Sequence, residues 1–365
     1  MVAARLDVTK HDRTQARVVV VTTGGTIGST VDPRDGKHIG LAGQHRLEPV
    51  VTSASATMVP LWRRSSVEVG LEDGLELARQ IEAIRADSSA DGVVVTVGTD
   101  TLEEIAFTLE MVWGGLVPCV ITGAMATPGT VGYDGDANLL DAVVLARRSD
   151  VAALGVVVVL AGMVHSARYV YKADPANRDA FRSYGPGPLG AVSDLQLLGP
   201  YAGRPRRVLP APAPGPLPFV PLVTVVSGDD GRTIRAIDDL GPDGLVVCGT
   251  GAGNVSEAAF GALERLRRRD IPVVIASRSG RPAVAPEVEG SPSRNGLRRM
   301  GCVFSTELSG LKARLALMLL LAGGMAGTVA EWLETGPARE AGAAGEAGAA
   351  GEAGAAREAG AAREG

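Results

Sequence analysis

Val18-Val19-Val20-Val21-Thr22-Thr23-Gly24-Gly25-Thr26-Ile27 is the stretch that decides the fold. A β-branched run without polar alternation belongs to a strand covered on both faces, as in a parallel sheet between helices. The run ends on paired glycines, and in an open parallel sheet the carboxyl ends of the strands border the crevice where ligands bind. The pattern recurs at Val93-Val94-Val95, which leads into Gly98-Thr99-Asp100-Thr101. Hydroxyls on tight turns at strand ends can serve as nucleophiles. The chain has no Gly-x-Ser-x-Gly and no cysteine matched with a histidine, so these threonine turns are the strongest clue to its chemistry.

Outward from these turns, strands and helices alternate. Strand-like runs fall at 17–22, 92–97, 118–122, 151–160, 222–226, 244–249 and 272–276. Helical periodicity falls at 75–84, 102–112, 138–147, 255–269 and 311–321. The alternation predicts α/β layering around a mainly parallel sheet. The segment from Gly203 to Pro218 holds six prolines, the composition of an extended, semi-rigid connector. The expected organisation is an extension over 1–16, a larger N-terminal domain over 17–202, a linker over 203–218 and a smaller C-terminal domain over 219–335. From 336 to 365 glutamates recur at 340, 346, 352, 358 and 364 in an Ala/Gly background with no apolar face, which predicts a disordered tail without a catalytic role.

At 365 residues more than one domain is expected. With 45% hydrophobic and 21% charged residues, the composition is that of an ordinary soluble globular protein. A net charge of −5, no basic stripe and only 4% aromatics argue against nucleic acid as a partner. No stretch reaches the ~18 apolar residues of a membrane span. The polar first residues carry no secretory pattern, so a cytoplasmic location is expected. Cys119, Cys248 and Cys302 sit in apolar surroundings and predict buried thiols. His11, His38, His45 and His165 are too scattered for a metal site, and no cofactor is expected.

Gly24-Gly25-Thr26-Ile27-Gly28 lacks the order of a dinucleotide loop and the Gly-Lys-Ser/Thr of a P-loop. Paired glycines instead let backbone N–H groups approach a ligand closely, which suits an oxyanion hole with Thr26 beside it as nucleophile. In Gly98-Thr99-Asp100-Thr101-Leu102-Glu103-Glu104, Thr101 and Glu104 have capping-box spacing. With Thr101 as the cap, Thr99 and Asp100 are left to face the crevice.

The two motifs together resemble the bacterial-type L-asparaginase family. Thr122-Gly123-Ala124-Met125, Asp134-Gly135 with Asn138-Leu139-Leu140-Asp141-Ala142, and Gly187-Pro188-Leu189-Gly190 extend the likeness, which covers roughly residues 17–335. The resemblance implies a two-domain asparaginase-like fold, with a three-layer α/β/α N-terminal domain and a smaller parallel-sheet α/β C-terminal domain. It implies that Thr26 attacks the side-chain amide of asparagine, giving a β-aspartyl acyl-enzyme and ammonia. Thr99, Asp100 and Lys172 would form a second triad that moves protons and positions water. Ser66 would hold the substrate α-carboxylate, with Ser65 as the alternative in that register. Asp100 would meet the α-ammonium, Ala124 would line the pocket, and Asn254 would reach a neighbouring subunit's site. Glu287 or Glu289 would add an acidic group. The residues alone also allow Asn254 to be a helix N-cap and Lys172 to be an exposed lysine on a helix or strand.

The chain also departs from the family pattern. Where many members carry a lid tyrosine, this chain reads Lys37-His38-Ile39-Gly40-Leu41-Ala42-Gly43, with His38 as a candidate replacement. Val97 stands before Gly98 in place of histidine, Val67 follows Ser66 in place of glutamine, and Ala126 follows Met125 in place of arginine. These changes fall on the lid and recognition shell, so lower activity or a shifted substrate is compatible with the sequence. The resemblance therefore implies an asparaginase without cofactor, assembled as a homotetramer. The alternatives are hydrolysis of glutamine or another small amide, and a weakly active relative that binds amino acids. An asparaginase-like amidotransferase subunit is disfavoured, because it would carry a further N-terminal domain.

Overall fold

The computed structural model describes residues 16–31, 38–39, 44–194, 207–279 and 292–334. The chain divides into two compact units, 1–217 and 218–365.

In the first unit the strands are β1 (Val18–Gly24), β2 (Thr30–Val31), β3 (His38–Ile39), β4 (Thr57–Arg64), β5 (Gly92–Thr96) and β6 (Cys119–Thr122). They continue with β7 (Val156–Leu160), β8 (Met163–Ser166), β9 (Val170–Lys172), β10 (Phe181–Ser183) and β11 (Gly190–Ala191). The helices are α1 (Glu48–Ser53), α2 (Leu71–Ser88), α3 (Leu102–Val112) and α4 (Gly135–Ala146). A seven-stranded sheet runs β11-β8-β7-β6-β5-β1-β4. It is parallel from β7 to β4, while β8 and β11 join antiparallel.

Side chains alternate across this sheet and separate two cores. Val19, Val21, Val93, Val95 and Ile121 face α2 and α3 through Leu77, Ile81, Ile105 and Leu109. Val18, Val20, Val94 and Val120 face α1 and α4 through Val51, Leu139 and Val143. The continuous valine runs are thus strands buried on both faces, in a three-layer α/β/α arrangement.

In the second unit β12 (Leu222–Thr224), β13 (Leu245–Gly249), β14 (Val273–Ser277) and β15 (Val303–Phe304) form a parallel sheet in that order. Its helices are α5 (Arg232–Asp239), α6 (Glu257–Arg267), α7 (Pro292–Arg299), α8 (Gly310–Ala322) and α9 (Val329–Glu334). Leu245, Val247, Val273 and Ile275 pack on Leu263, Leu266 and Leu297 of α6 and α7. On the opposite face α8 lies so close that a Cβ at Gly310 would stand 2.1 Å from Cys248 Sγ. All three cysteines are free and buried.

Several local expectations are corrected. The strand expected over 151–160 begins only at Val156. Ser149–Leu154 is a 3-10 turn, closed by Gly155 at φ 82°. The edge strand β4 is not marked by the sequence pattern, because Pro60 and its half-exposed side chains are tolerated only at an edge position. Thr101 precedes α3 but makes no side-chain cap; its hydroxyl instead donates to the Ser66 carbonyl at 2.8 Å. Asn254 is not the cap of α6 either, since Ser256 Oγ accepts from Ala259 N.

Candidate active site

β1 ends on Gly24 (φ 114°) and Gly25 (φ 79°), and a 3-10 turn follows over Thr26–Gly28. Neither glycine conformation suits an L side chain. Crowding reinforces the restriction: a Cβ on Gly25 would stand 2.4 Å from Gly98 Cα, and one on Gly98 would stand 2.6 Å from Ser66 Cβ. The turns after β1 and β5 therefore meet backbone on backbone, and the second lies against the Ser66 side chain after β4, which places Thr26, Thr99 and Ser66 in one neighbourhood. Thr23 adds a tie, its hydroxyl donating to Thr96 O at 2.8 Å. Gly25→Ala is expected to abolish turnover by pushing the turns apart. Soluble protein with unchanged kcat would contradict that close approach.

The Thr26 turn has its carbonyls engaged one after another. Gly25 O accepts from Gly28 N at 3.2 Å, and Thr26 O accepts from Ser29 N at 3.1 Å and Ser29 Oγ at 2.8 Å. Ile27 O accepts from the Tyr133 hydroxyl at 3.1 Å. The Thr26 side chain is partly exposed, as a group that meets a ligand must be.

Thr99 and Asp100 follow β5, and Lys172 ends β9, where it pairs with Phe181 of β10. Lys172 Nζ donates to Thr99 Oγ1 at 3.0 Å and to Asp100 Oδ1 at 2.8 Å. Glu103, in the first turn of α3, accepts from Lys172 N at 3.4 Å. Lys172 is thus an ordered, three-quarters-buried or better group (side chain 15% exposed), not a solvated lysine. By accepting from Nζ, Thr99 keeps its own proton available for another acceptor. Asp100 remains 58% exposed and can take a second cation beside Lys172. Ser66 Oγ lies 3.4 Å from Asp100 Oδ2, so Ser66, rather than Ser65, is the serine set against that carboxylate.

The other sequence-selected residues are placed differently. The Ala124 side chain is 1% exposed and packs in the core with Ile27 and Leu139, leaving only its backbone for a ligand. Asn254 lies in the second unit, in a turn where its N–H and C=O both bond to Thr250. Glu287 and Glu289 lie outside the described residues, as does most of the 37–43 stretch. The His38 backbone pairs with Val31. Among the described residues no group of His, Cys, Asp and Glu could hold a metal, and no helix could cross a membrane.

Sequence reasoning missed Tyr133. Its ring lies under the Arg46 guanidinium, 4.3 Å from ring centroid to Cζ, and Arg46 pairs with Asp136 at 3.4 Å. Burial pushes the phenol up to about 12, against the opposing pull of Arg46. The neutral phenol is therefore favoured in the folded state, and its hydroxyl remains a donor across the physiological range. The stability tied to this shift is fully present below the ordinary tyrosine value of about 10 and is lost as pH climbs towards the folded value. Thermal melts should fall more steeply above about pH 10 for the native chain than for Tyr133→Phe. Parallel curves would contradict the shift. The available sequence signal was an aromatic placed between Gly132 and Gly135 just before the Asp134-Gly135 motif.

Residues 17–199 match the family described as Asparaginase, N-terminal, and residues 220–331 match the Glutaminase/Asparaginase C-terminal domain. An L-asparaginase of Bacillus licheniformis is 30% identical over 314 residues, 85% of this chain and 97% of that protein. A probable L-asparaginase of Deinococcus radiodurans is 33% identical over 311 residues, covering 84% and 92%. A solved structure, described as a probable cytoplasmic L-asparaginase from Campylobacter jejuni, superposes with a TM-score of 0.74 at 28% identity. It covers 87% of this chain and 99% of that one.

Proposed function

Because the chain belongs to the asparaginase family, we propose that it hydrolyses L-asparagine to L-aspartate and ammonia through a threonyl acyl-enzyme. The observation that carries this reading is the junction of Lys172 Nζ with Thr99 Oγ1 and Asp100 Oδ1, on turns packed against the Thr26 turn.

In this mechanism Thr26 Oγ1 attacks the side-chain amide carbon. Backbone N–H groups of the glycine turn stabilise the oxyanion that forms on the amide oxygen. The C–N bond then breaks, and the threonine proton, relayed to nitrogen, leaves with ammonia. Water attacks the β-aspartyl ester next, and its proton restores the Thr26 hydroxyl. Thr99 and Lys172, joined to each other at 3.0 Å, are assigned the proton-carrying roles in these steps. Asp100 anchors Lys172 and offers its exposed oxygen to the substrate α-ammonium, while Ser66 lies within reach of the α-carboxylate. No metal or cofactor is required by this chemistry.

A second reading, in which glutamine or another small amide is also turned over, is supported by the recognition shell. Val67, directly after Ser66, is 71% exposed and offers no hydrogen bond there. A hydrogen bond lost from a charged substrate costs about 1.5–3 kcal/mol. The test is steady-state ammonia release from asparagine, glutamine and other short amides. A higher kcat/KM for asparagine supports the primary reading, whereas no turnover of any amide would overturn both.

The proposed assembly is a homotetramer, supported by family membership and by Leu140 and Val144, which are both partly exposed on α4. Light scattering that reports a monomer would reject it. The proposed location is the cytoplasm, supported by the Campylobacter jejuni neighbour, and cell fractionation tests it.

A further inference from the structure

We propose that Val131–Tyr133 is a strap that sets the spacing between the Thr26 turn and Lys172, with Tyr133 and Arg178 as its two anchors. At one end the Tyr133 hydroxyl donates to Ile27 O at 3.1 Å, in the residue that follows Thr26. At the other, Arg178 Nη2 donates to Val131 O at 2.6 Å and Arg178 Nε donates to Gly132 O.

Arg178 belongs to the turn that follows Lys172, between β9 and β10, and that turn is itself well braced. Asp174 Oδ1 accepts from Ala176 N at 2.7 Å and Asn177 N at 2.8 Å, and Ala173 N donates to Ala180 O at 2.7 Å. The strap therefore joins the turn that carries Thr26 to the turn that follows Lys172.

The Tyr133 anchor is built into the fold, whereas the Arg178 anchor lies at the surface. Ile27 is fully buried, so its carbonyl bond to Tyr133 fixes a residue that cannot shift without disturbing the core. Arg46 over the ring and the Arg46–Asp136 pair hold Tyr133 from above. Position 135 must stay glycine, because a Cβ there would stand 2.1 Å from the Tyr133 hydroxyl. The strap also starts from a fixed base: Asp134 accepts from Met125 N at 3.1 Å and Ala126 N at 2.9 Å, which closes the loop in front of α4.

Tyr133 and Arg178 touch no reacting atom in this scheme and are positioning residues. Misplacing reacting groups by about 1 Å can cost about a hundredfold in rate, so a partial release is expected to cost about tenfold. The inference rests on the asparaginase reading for its kinetic arm only. Tyr133→Phe, Arg178→Ala and the double variant are made in the full chain, and asparagine kinetics are measured beside hydrogen exchange of the 18–31 segment. The expected result is kcat lowered about tenfold by Tyr133→Phe with KM within about twofold. Arg178→Ala should act in the same direction, and the double variant should be no worse than the poorer single, because releasing either end frees the strap. Exchange at 18–31 should rise in each variant, with α4 still protected.

The strap is overturned by unchanged kcat, by losses that multiply, by a loss confined to KM, or by unchanged exchange at 18–31. If the native chain releases no ammonia from any amide, the functional reading fails, and the exchange measurement alone then decides the strap.

Discussion

Thr26→Ala is expected to lower kcat for asparagine hydrolysis by about 10³-fold or more, with the melting temperature nearly unchanged. The size follows from removing the only side chain in the scheme that bonds to the substrate carbon. The small effect on stability follows from the site: Thr26 is partly exposed, and the hydrogen bonds that hold its turn are made by backbone, by Ser29 and by Tyr133. Alanine also accepts the conformation of a 3-10 turn without strain. Steady-state kinetics and a thermal melt on the same preparation check both halves. A large fall in melting temperature would mean that the threonine is structural, and turnover within tenfold of the native chain would mean that another group attacks the substrate.

Lys172→Met is expected to cost about 10²–10⁴-fold in kcat, the usual range for loss of a group that carries protons in the reaction. Methionine fills a similar volume on β9, so the hairpin with β10 is retained. What disappears is the donor to Thr99 Oγ1 and the counter-charge of Asp100. Thr99→Val should give a loss in the same range, and Lys172→Met combined with Thr99→Val should be far from multiplicative, because the two residues act as one unit. Partial rescue of Lys172→Met by an added small primary amine would separate a proton-transfer role from a packing role. No rescue together with an additive double variant would argue that Lys172 only props the turn.

Much of the fold was legible because its strongest signals are local. The valine runs of β1 and β5 and the periodicity of α3 declare themselves within a few residues, and each lies where its pattern placed it, whereas β7 begins only at Val156. Other elements depend on neighbours distant in sequence. β4 is a strand because its edge position tolerates Pro60, and the short β9 and β10 exist only as a pair. The site shows the same division. Thr26, Thr99 and Asp100 are marked by glycine turns at strand ends, whereas Tyr133 meets Ile27 across 106 positions of sequence. Nothing near Thr101 announces that its hydroxyl serves the Ser66 carbonyl rather than its own helix, a choice made by the packing of Gly98 on Ser66. Capping patterns are local rules, and at this site tertiary contacts override them.

The most direct test of the central proposal is mass spectrometry of the chain quenched during turnover of asparagine. The acyl-enzyme mechanism predicts a β-aspartyl adduct localised by fragmentation to Thr26, present in the native chain and absent from Thr26→Ala. An adduct on Thr99 or any other residue, or full turnover by Thr26→Ala, would contradict it.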